Sequence, residues 1–164
     1  MVLVNRMEGV KLIIRNDQLT EADYNQIADI WLADNLKSHQ FIEASYWQEH
    51  LETAVAAFPK ANLYVEKTDG QVRGFLGMTG DAIEGLFVAQ TDQRQGVGQA
   101  LMEAAKAEHD VLTLQVYWKN HAALKFYLAQ EFKVDDDHVE EATKQAVYDM
   151  VWRKNKDNLH GFDA

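Results

Sequence analysis

The chain has no cysteine, so disulfides, thiolate metal sites and a cysteine nucleophile are excluded at the start. It has one proline, Pro59, and nine glycines in 164 residues, with no linker, internal repeat or low-complexity tract. Positive charge is scarce: 16 Lys and Arg stand against 26 Asp and Glu, a formal charge of −10. A general nucleic-acid binder needs phosphate-neutralising cations, which argues against that class, whereas a cationic or amine-bearing partner would be attracted. No apolar run approaches the roughly 18 residues of a membrane span, and MVLVNRMEGVKLIIR lacks an unbroken apolar stretch of signal-peptide length. The expectation is a cytoplasmic protein with neither a membrane nor a nucleic-acid partner. It reads as one domain over residues 11–153, with an N-terminal extension at 1–10 and a polar tail at 154–164.

Hydrophobic patterning sets the order of elements. KLIIR reads as a strand, and TEADYNQIADIWLADNLKSH as a helix capped by Thr20, with Tyr24, Ile27, Ala28 and Trp31 on one face. EASYWQEHLETAVAAF supplies a second helix. ANLYVEKT and VRGFLGMTG flank Asp69-Gly70, a hairpin signal. DAIEGLFV follows as a strand apolar on both faces, with Ala82, Leu86 and Val88 to one side and Ile83, Phe87 and Ala89 to the other, as suits a central strand. Then come a glycine-bearing helix, the strand VLTLQVYW, the helix HAALKFYLAQ, a strand near FKV and the strand AVYDMVW. Strands grouped between helices suggest a mixed α/β sheet, not a regular βαβ alternation.

The segment TDQRQGVGQALMEAAKA poses the central question. Val97, Ala100, Leu101, Ala104 and Ala105 fall on one helical face, yet Gly96 and Gly98 stand at its start. A glycine inside a helix costs roughly 1 kcal/mol relative to alanine. Either these glycines permit a tight turn and close packing, or they bare the backbone of a helix N-terminus for an anion. A Walker loop is excluded because no Lys-Ser or Lys-Thr follows, and a dinucleotide fingerprint because Leu101 stands where its third glycine belongs.

Gln93-Arg94-Gln95-Gly96-Val97-Gly98 has the form [Q/R]xxGx[G/A] after a buried strand, and NHAALKFYLAQEF follows at 120–132. Together they resemble the acetyl-CoA-binding core of the GNAT superfamily of N-acetyltransferases. The resemblance implies a mixed, mostly antiparallel central sheet with flanking helices and a splayed strand pair at the acetyl-CoA site. It implies that backbone N–H groups from Gln93 through Gly98, with Gln99, surround the CoA pyrophosphate, and that main-chain groups of Leu86, Phe87 and Val88 hold the pantetheine arm. Gly85, inside that strand, marks a bulge or a close approach. Asn120 reads as an N-cap whose family counterpart also meets the cofactor. Tyr127 matches the family tyrosine whose hydroxyl lies near the thioester sulfur. A tyrosine of pKa about 10 giving its proton to a thiolate of pKa about 8.5 works uphill by roughly 2 kcal/mol, so hydrogen-bond stabilisation is the safer role. One departure is Glu131, where the family carries glycine before Phe132; it puts the end of that helix, and the pose of Tyr127, in question.

The implied reaction is transfer of acetyl from acetyl-CoA to a primary amine by direct attack in a ternary complex, without a metal. A lysine of pKa about 10.4 is only about 0.1% neutral near pH 7.4, so an acceptor lysine must lose a proton. Glu84 stands where some family members carry the base, and burial would raise its pKa toward usefulness; water is the other receiver. Trp31, His39 and Phe41 border the implied acceptor site, with Tyr46 and Trp47 read as core. VDDDHVEEA reads as a solvated acidic loop that could attract a cationic acceptor. Protein lysine, N-terminal amine and small amine all stay open as acceptors, as do monomer and homodimer. A non-catalytic acyl-CoA sensor is the alternative from another class.

Overall fold

The computed structural model describes residues 11–155. The expected N-terminal extension, and the polar tail from 156 onward, lie outside them. β1 (Lys11–Ile14) precedes α1 (Glu21–Ser38). That helix opens with a reciprocal cap: the Thr20 hydroxyl accepts from the Asp23 N–H at 3.1 Å, and the Asp23 carboxylate accepts from the Thr20 N–H at 2.9 Å. α2 (Ala44–Ala57) runs into a short turn containing Pro59, and β2 (Asn62–Thr68) and β3 (Gln71–Thr79) follow. The hairpin between them has the expected turn, with Asp69 at φ 54° and Gly70 at φ 77°. Next come β4 (Ala82–Val88), α3 (Val97–Ala107), β5 (Val111–Tyr117), α4 (His121–Ala129), β6 (Lys133–Glu140) and β7 (Gln145–Arg153).

The strands form one seven-stranded sheet in the order β1-β2-β3-β4-β5-β7-β6. Only β4 and β5 run parallel, and they pair at just Ala82↔Thr113 and Ile83↔Leu114. Beyond that point the strands part, so the β5-facing edge of residues 84–88 has no ladder. This is the splayed pair expected from the resemblance. Each face of the sheet carries a core. Leu101, Met102, Leu112, Phe132 and Met150 fill one beneath α3 and α4, and Ile27, Phe58, Leu63, Val65 and Phe75 fill the other beneath α1.

Two expectations need correcting. β3 pairs Gly77 with Gly85 but Met78 with Ile83, which leaves Glu84 as an extra residue in a β-bulge. An inserted residue reverses the alternation, so Ile83 joins Leu86 and Val88 in the α3 core instead of siding with Phe87 and Ala89. The second correction concerns the acidic segment, whose greater part is not a loop. Lys133–Glu140 is an edge strand laddered to β7, with Asp135 as its own bulge. It carries no apolar alternation because nearly all its residues are exposed, and its charges guard the edge against pairing with other chains.

The end of α4 also answers the question raised by Glu131. The Phe132 N–H donates to the Tyr127 carbonyl at 3.0 Å and the Glu131 N–H to the Leu128 carbonyl at 3.1 Å, a Schellman ending with Glu131 held at φ 72°. The glycine-type cap therefore forms without glycine, at a cost of about 1 kcal/mol. Glu131→Gly is expected to raise unfolding stability by about 1 kcal/mol, read as a higher urea midpoint at unchanged slope. An unchanged midpoint would show that no strain is held there.

Candidate active site

The loop entering α3 is fixed from below. Asp92 is buried, and Arg73 Nη1 donates to its two carboxylate oxygens at 3.2 and 3.4 Å. Gln93 Nε2 reaches the Val88 carbonyl at 3.4 Å. Arg94 and Gly96 then adopt left-handed backbone, at φ 65° and φ 82°. Such reversals turn successive N–H groups into one concavity, here at the positive end of α3. A Cβ on Gly96 would meet nothing within 4 Å, so its backbone angle, not packing, calls for glycine. Gly98 differs. It lies inside the helix, and an added Cβ would sit 3.5 Å from the Phe126 ring and 3.8 Å from Leu86, both ordinary contacts. Neither backbone nor core demands glycine there.

Gly98, Phe126 and Leu86 face a cleft of about 1300 Å³ that runs from this loop, along the parted strands, to the C-terminal half of α1. Its walls contain Leu86, Phe87, Val88, Gln93, Arg94, Gly96, Val97, Gly98, Gln99 and Asn120, the residues expected around the cofactor. Gln95 is the exception; its side-chain amide turns back to the Thr91 carbonyl at 3.2 Å. The Phe87 ring belongs to the core, stacked on Phe75 at 5.0 Å, and leaves only main chain for the cleft. Gly85 makes room for that ring, since a side chain at 85 would collide with it.

Tyr127 and Glu84 both line the cleft. The Tyr127 ring is 8% exposed and packed edge-on against Phe126 and Phe132, at 5.5 and 5.7 Å. Its hydroxyl forms no hydrogen bond among the described residues. Burial, and after it the negative charge of Asp34, holds its pKa well above that of an ordinary tyrosine. Glu84 sits on the bulge and is exposed. The burial expected to activate it is missing, because the bulge pushes this residue out of the ladder.

Asp34 was overlooked in the sequence. It projects from α1 into the cleft and accepts from the Ser38 hydroxyl at 3.0 Å. Burial raises its pKa, opposed by the Ser38 hydroxyl, the Val88 N–H and Lys37. Its position three residues after Trp31 places it on a helix face otherwise turned inward, which was the available signal.

At the far end the residues expected to border the acceptor site assemble around His39. Its ring stacks on Trp47 at 5.3 Å and meets Phe41 and Tyr117 edge-on at 5.6 and 5.0 Å. Trp31 leans on Trp47 at 5.9 Å. Trp31, His39 and Trp47 line the cleft, whereas Phe41 stands behind His39. Asn120 caps α4 as expected, its side chain accepting from the Ala123 N–H at 3.3 Å, while its Nδ2 lies 3.0 Å from His39 Nε2. An amide nitrogen only donates, so Nε2 accepts, and Nδ1 carries the proton toward Asn35 Oδ1 at 3.1 Å. His39 is thus held as a neutral imidazole, and burial lowers its pKa to about 4 against the pull of Glu140. The unfolded chain binds this proton below about pH 6.5, so folding stability should fall as pH drops from 6.5 to 4 and level below. His39→Gln should remove about 2 kcal/mol of that loss, seen by comparing denaturant midpoints at the two ends of the range. Parallel curves for the two proteins would contradict it.

Such a cleft suits a long anionic ligand with peptide-like groups: N–H donors for phosphates, an unladdered strand edge for amides, and a buried tyrosine on its wall. Acyl-coenzyme A has that form, and the class so defined is an acyl-CoA-dependent acyltransferase. The chain belongs to the GNAT acetyltransferase family, and residues 59–134 match the model of the acetyltransferase (GNAT) domain. It is 34% identical over 142 residues to the peptidyl-lysine N-acetyltransferase YiaC of Escherichia coli K12, spanning 85% of this chain and 96% of that protein. The apo solution structure of YjaB from Escherichia coli superposes with a TM-score of 0.77 at 25% identity, covering 89% of this chain and 99% of that one. A Bacillus anthracis acetyltransferase solved in complex with acetyl coenzyme A shares the fold, at 19% identity and a TM-score of 0.53 over 58% of this chain and 64% of its own. The protein is an N-acetyltransferase with acetyl-CoA as co-substrate. Among the described residues, no helix is long and apolar enough to cross a membrane, and no group of three or more His, Asp or Glu could hold a metal ion.

Proposed function

We propose that the chain acetylates lysine side chains of proteins or peptides by direct attack of the amine in a ternary complex. The observation that carries the mechanism is the buried Tyr127 on the wall of the cleft that the parting of β4 and β5 opens, with no described residue hydrogen-bonded to its hydroxyl. Acetyl-CoA supplies the activated acetyl thioester. The loop from Gln93 to Gly98, with Gln99, holds its phosphates, and main-chain groups of Leu86, Phe87 and Val88 hold its arm in register. The Tyr127 hydroxyl stabilises the departing sulfur by a hydrogen bond. Its raised pKa makes complete proton donation still less favourable than for free tyrosine, which favours that role.

The amine proton passes to water or to a carboxylate on the cleft wall. Glu84 is one such group, but its exposure leaves it acting through solvent. Asp34 has the raised pKa that suits proton uptake and stands close enough for its charge to act on Tyr127. Lysine is favoured as acceptor by the peptidyl-lysine specificity of the YiaC relative and by the surplus of acid in this chain. The test is release of CoA thiol with lysine-containing peptides, which is unobstructed because the protein itself has no thiol. Asp34→Asn should slow turnover more than Glu84→Gln. Tight acetyl-CoA binding without any acetylated product would instead favour the sensor reading.

A further inference from the structure

Glu140 ends β6, separated from β4 by two strands of the sheet, yet it lines the same cleft as His39 and Asn120. Its carboxylate is held by two hydroxyls: Tyr117 donates to Oε1 at 2.7 Å, and Thr143 donates to the same oxygen at 2.7 Å. Oε2 keeps its lone pairs. No Lys, Arg or His among the described residues forms a salt bridge with Glu140. A half-buried carboxylate held by hydroxyls on one oxygen and by no cation keeps its negative charge available to a cation that enters the cleft.

The rings around it fit an alkylammonium. His39, Phe41 and Tyr117 meet edge-to-face, with centroid separations of 5.0, 5.6 and 5.6 Å. Such rings offer faces to methylene groups and to a cation. The chain shows the affinity itself, since the exposed Lys119 places its Nζ 5.9 Å from the Phe41 centroid. From this geometry we infer that Glu140, braced by Tyr117 and Thr143 beside the His39 ring, with Phe41 backing that ring, is the seat that receives the acceptor lysine as an ammonium ion. The inference rests on the lysine reading above and adds the residue that selects for a cationic side chain. The ion pair forms on arrival, before the amine gives up its proton, so Glu140 acts on capture of the acceptor and not on the chemical step.

Glu140→Gln is the direct test, because glutamine keeps an acceptor for both hydroxyls and removes only the charge. The acceptor KM for a lysine peptide should rise about tenfold, the strength of one charge-assisted contact, with kcat and the acetyl-CoA Kd within about twofold. Added salt should raise the wild-type KM and leave that of Glu140→Gln nearly flat. Binding of n-butylammonium, followed by NMR shifts of the Tyr117 and His39 rings, reads the seat without turnover. If wild type acetylates no lysine peptide but binds butylammonium through Glu140, the lysine-transfer reading fails and the seat stands. If folded Glu140→Gln matches wild type in acceptor KM and in butylammonium binding, the seat is overturned while the transferase reading is untouched.

Discussion

Tyr127→Phe is expected to lower kcat by about 10²- to 10³-fold, the usual loss when a single hydrogen-bond donor is removed from a transition state's developing charge. Acetyl-CoA affinity should change less than about twofold, because the hydroxyl serves a charge that appears only as the thioester breaks. Phenylalanine keeps the edge-on packing against Phe126 and Phe132, so the fold offers little reason for the variant to misassemble. The pH profile provides a second reading. Burial and Asp34 hold the Tyr127 proton on beyond its ordinary pKa of 10.0, so this group cannot produce a loss of rate on the way to pH 10. Wild type and Tyr127→Phe should therefore give pH profiles of the same shape over that range, the variant at a lower level. Calorimetry for affinity and thiol release for rate separate the two quantities. Full turnover in the variant with normal binding would remove the tyrosine from the mechanism.

What the sequence disclosed was whatever a local pattern can carry. The Thr20 cap, the Asp69-Gly70 turn and the amphipathic α3 each depend on neighbours a few residues apart, and each formed where expected. The bulge at Glu84 depends on how β3 pairs across from it. Gly85 hinted at an irregularity, but the reversed alternation of Ile83 needed the partner strand to be seen. β6 was read only at its start, the strand near FKV, for a related reason: a strand exposed on both faces has no hydrophobic period, and its ladder to β7 is what carries it on to Glu140. The site divides along the same line. The loop from Gln93 to Gly98 is contiguous and its glycines were readable, whereas Asp34 left only the trace of an inward helix face and Glu140 reaches the cleft from the far side of the sheet, through contacts no spacing encodes. The resemblance implied His39 only as a border of the acceptor site; its partners Asn35 and Asn120, the latter 81 positions away, show it as a neutral brace between α1 and α4.

Gly98 offers the sharpest separation of stability from function. Its helical position has room for a methyl group, since an added Cβ would make only ordinary contacts with Phe126 and Leu86. Gly98→Ala should therefore stabilise the folded protein by about 0.5 to 1 kcal/mol, the usual gain from replacing glycine within a helix. A chain selected only for packing would have taken that gain. The new methyl would project among residues that wall the cleft, beside the N–H groups proposed to receive phosphate, so acetyl-CoA binding should weaken as stability rises. Gly98→Trp carries the argument to its limit by filling the approach and should abolish detectable binding in calorimetry. Gly96 supplies the contrast: its left-handed backbone makes any replacement costly to the fold, by about 1 to 2 kcal/mol, whether or not ligand is present. If Gly98→Ala is more stable and binds acetyl-CoA as tightly as wild type, the glycine is not kept for the cofactor and the phosphate must lie elsewhere along the loop. A stabilised protein with weakened binding would mean that helix stability has been given up at Gly98 to let the phosphate reach the backbone.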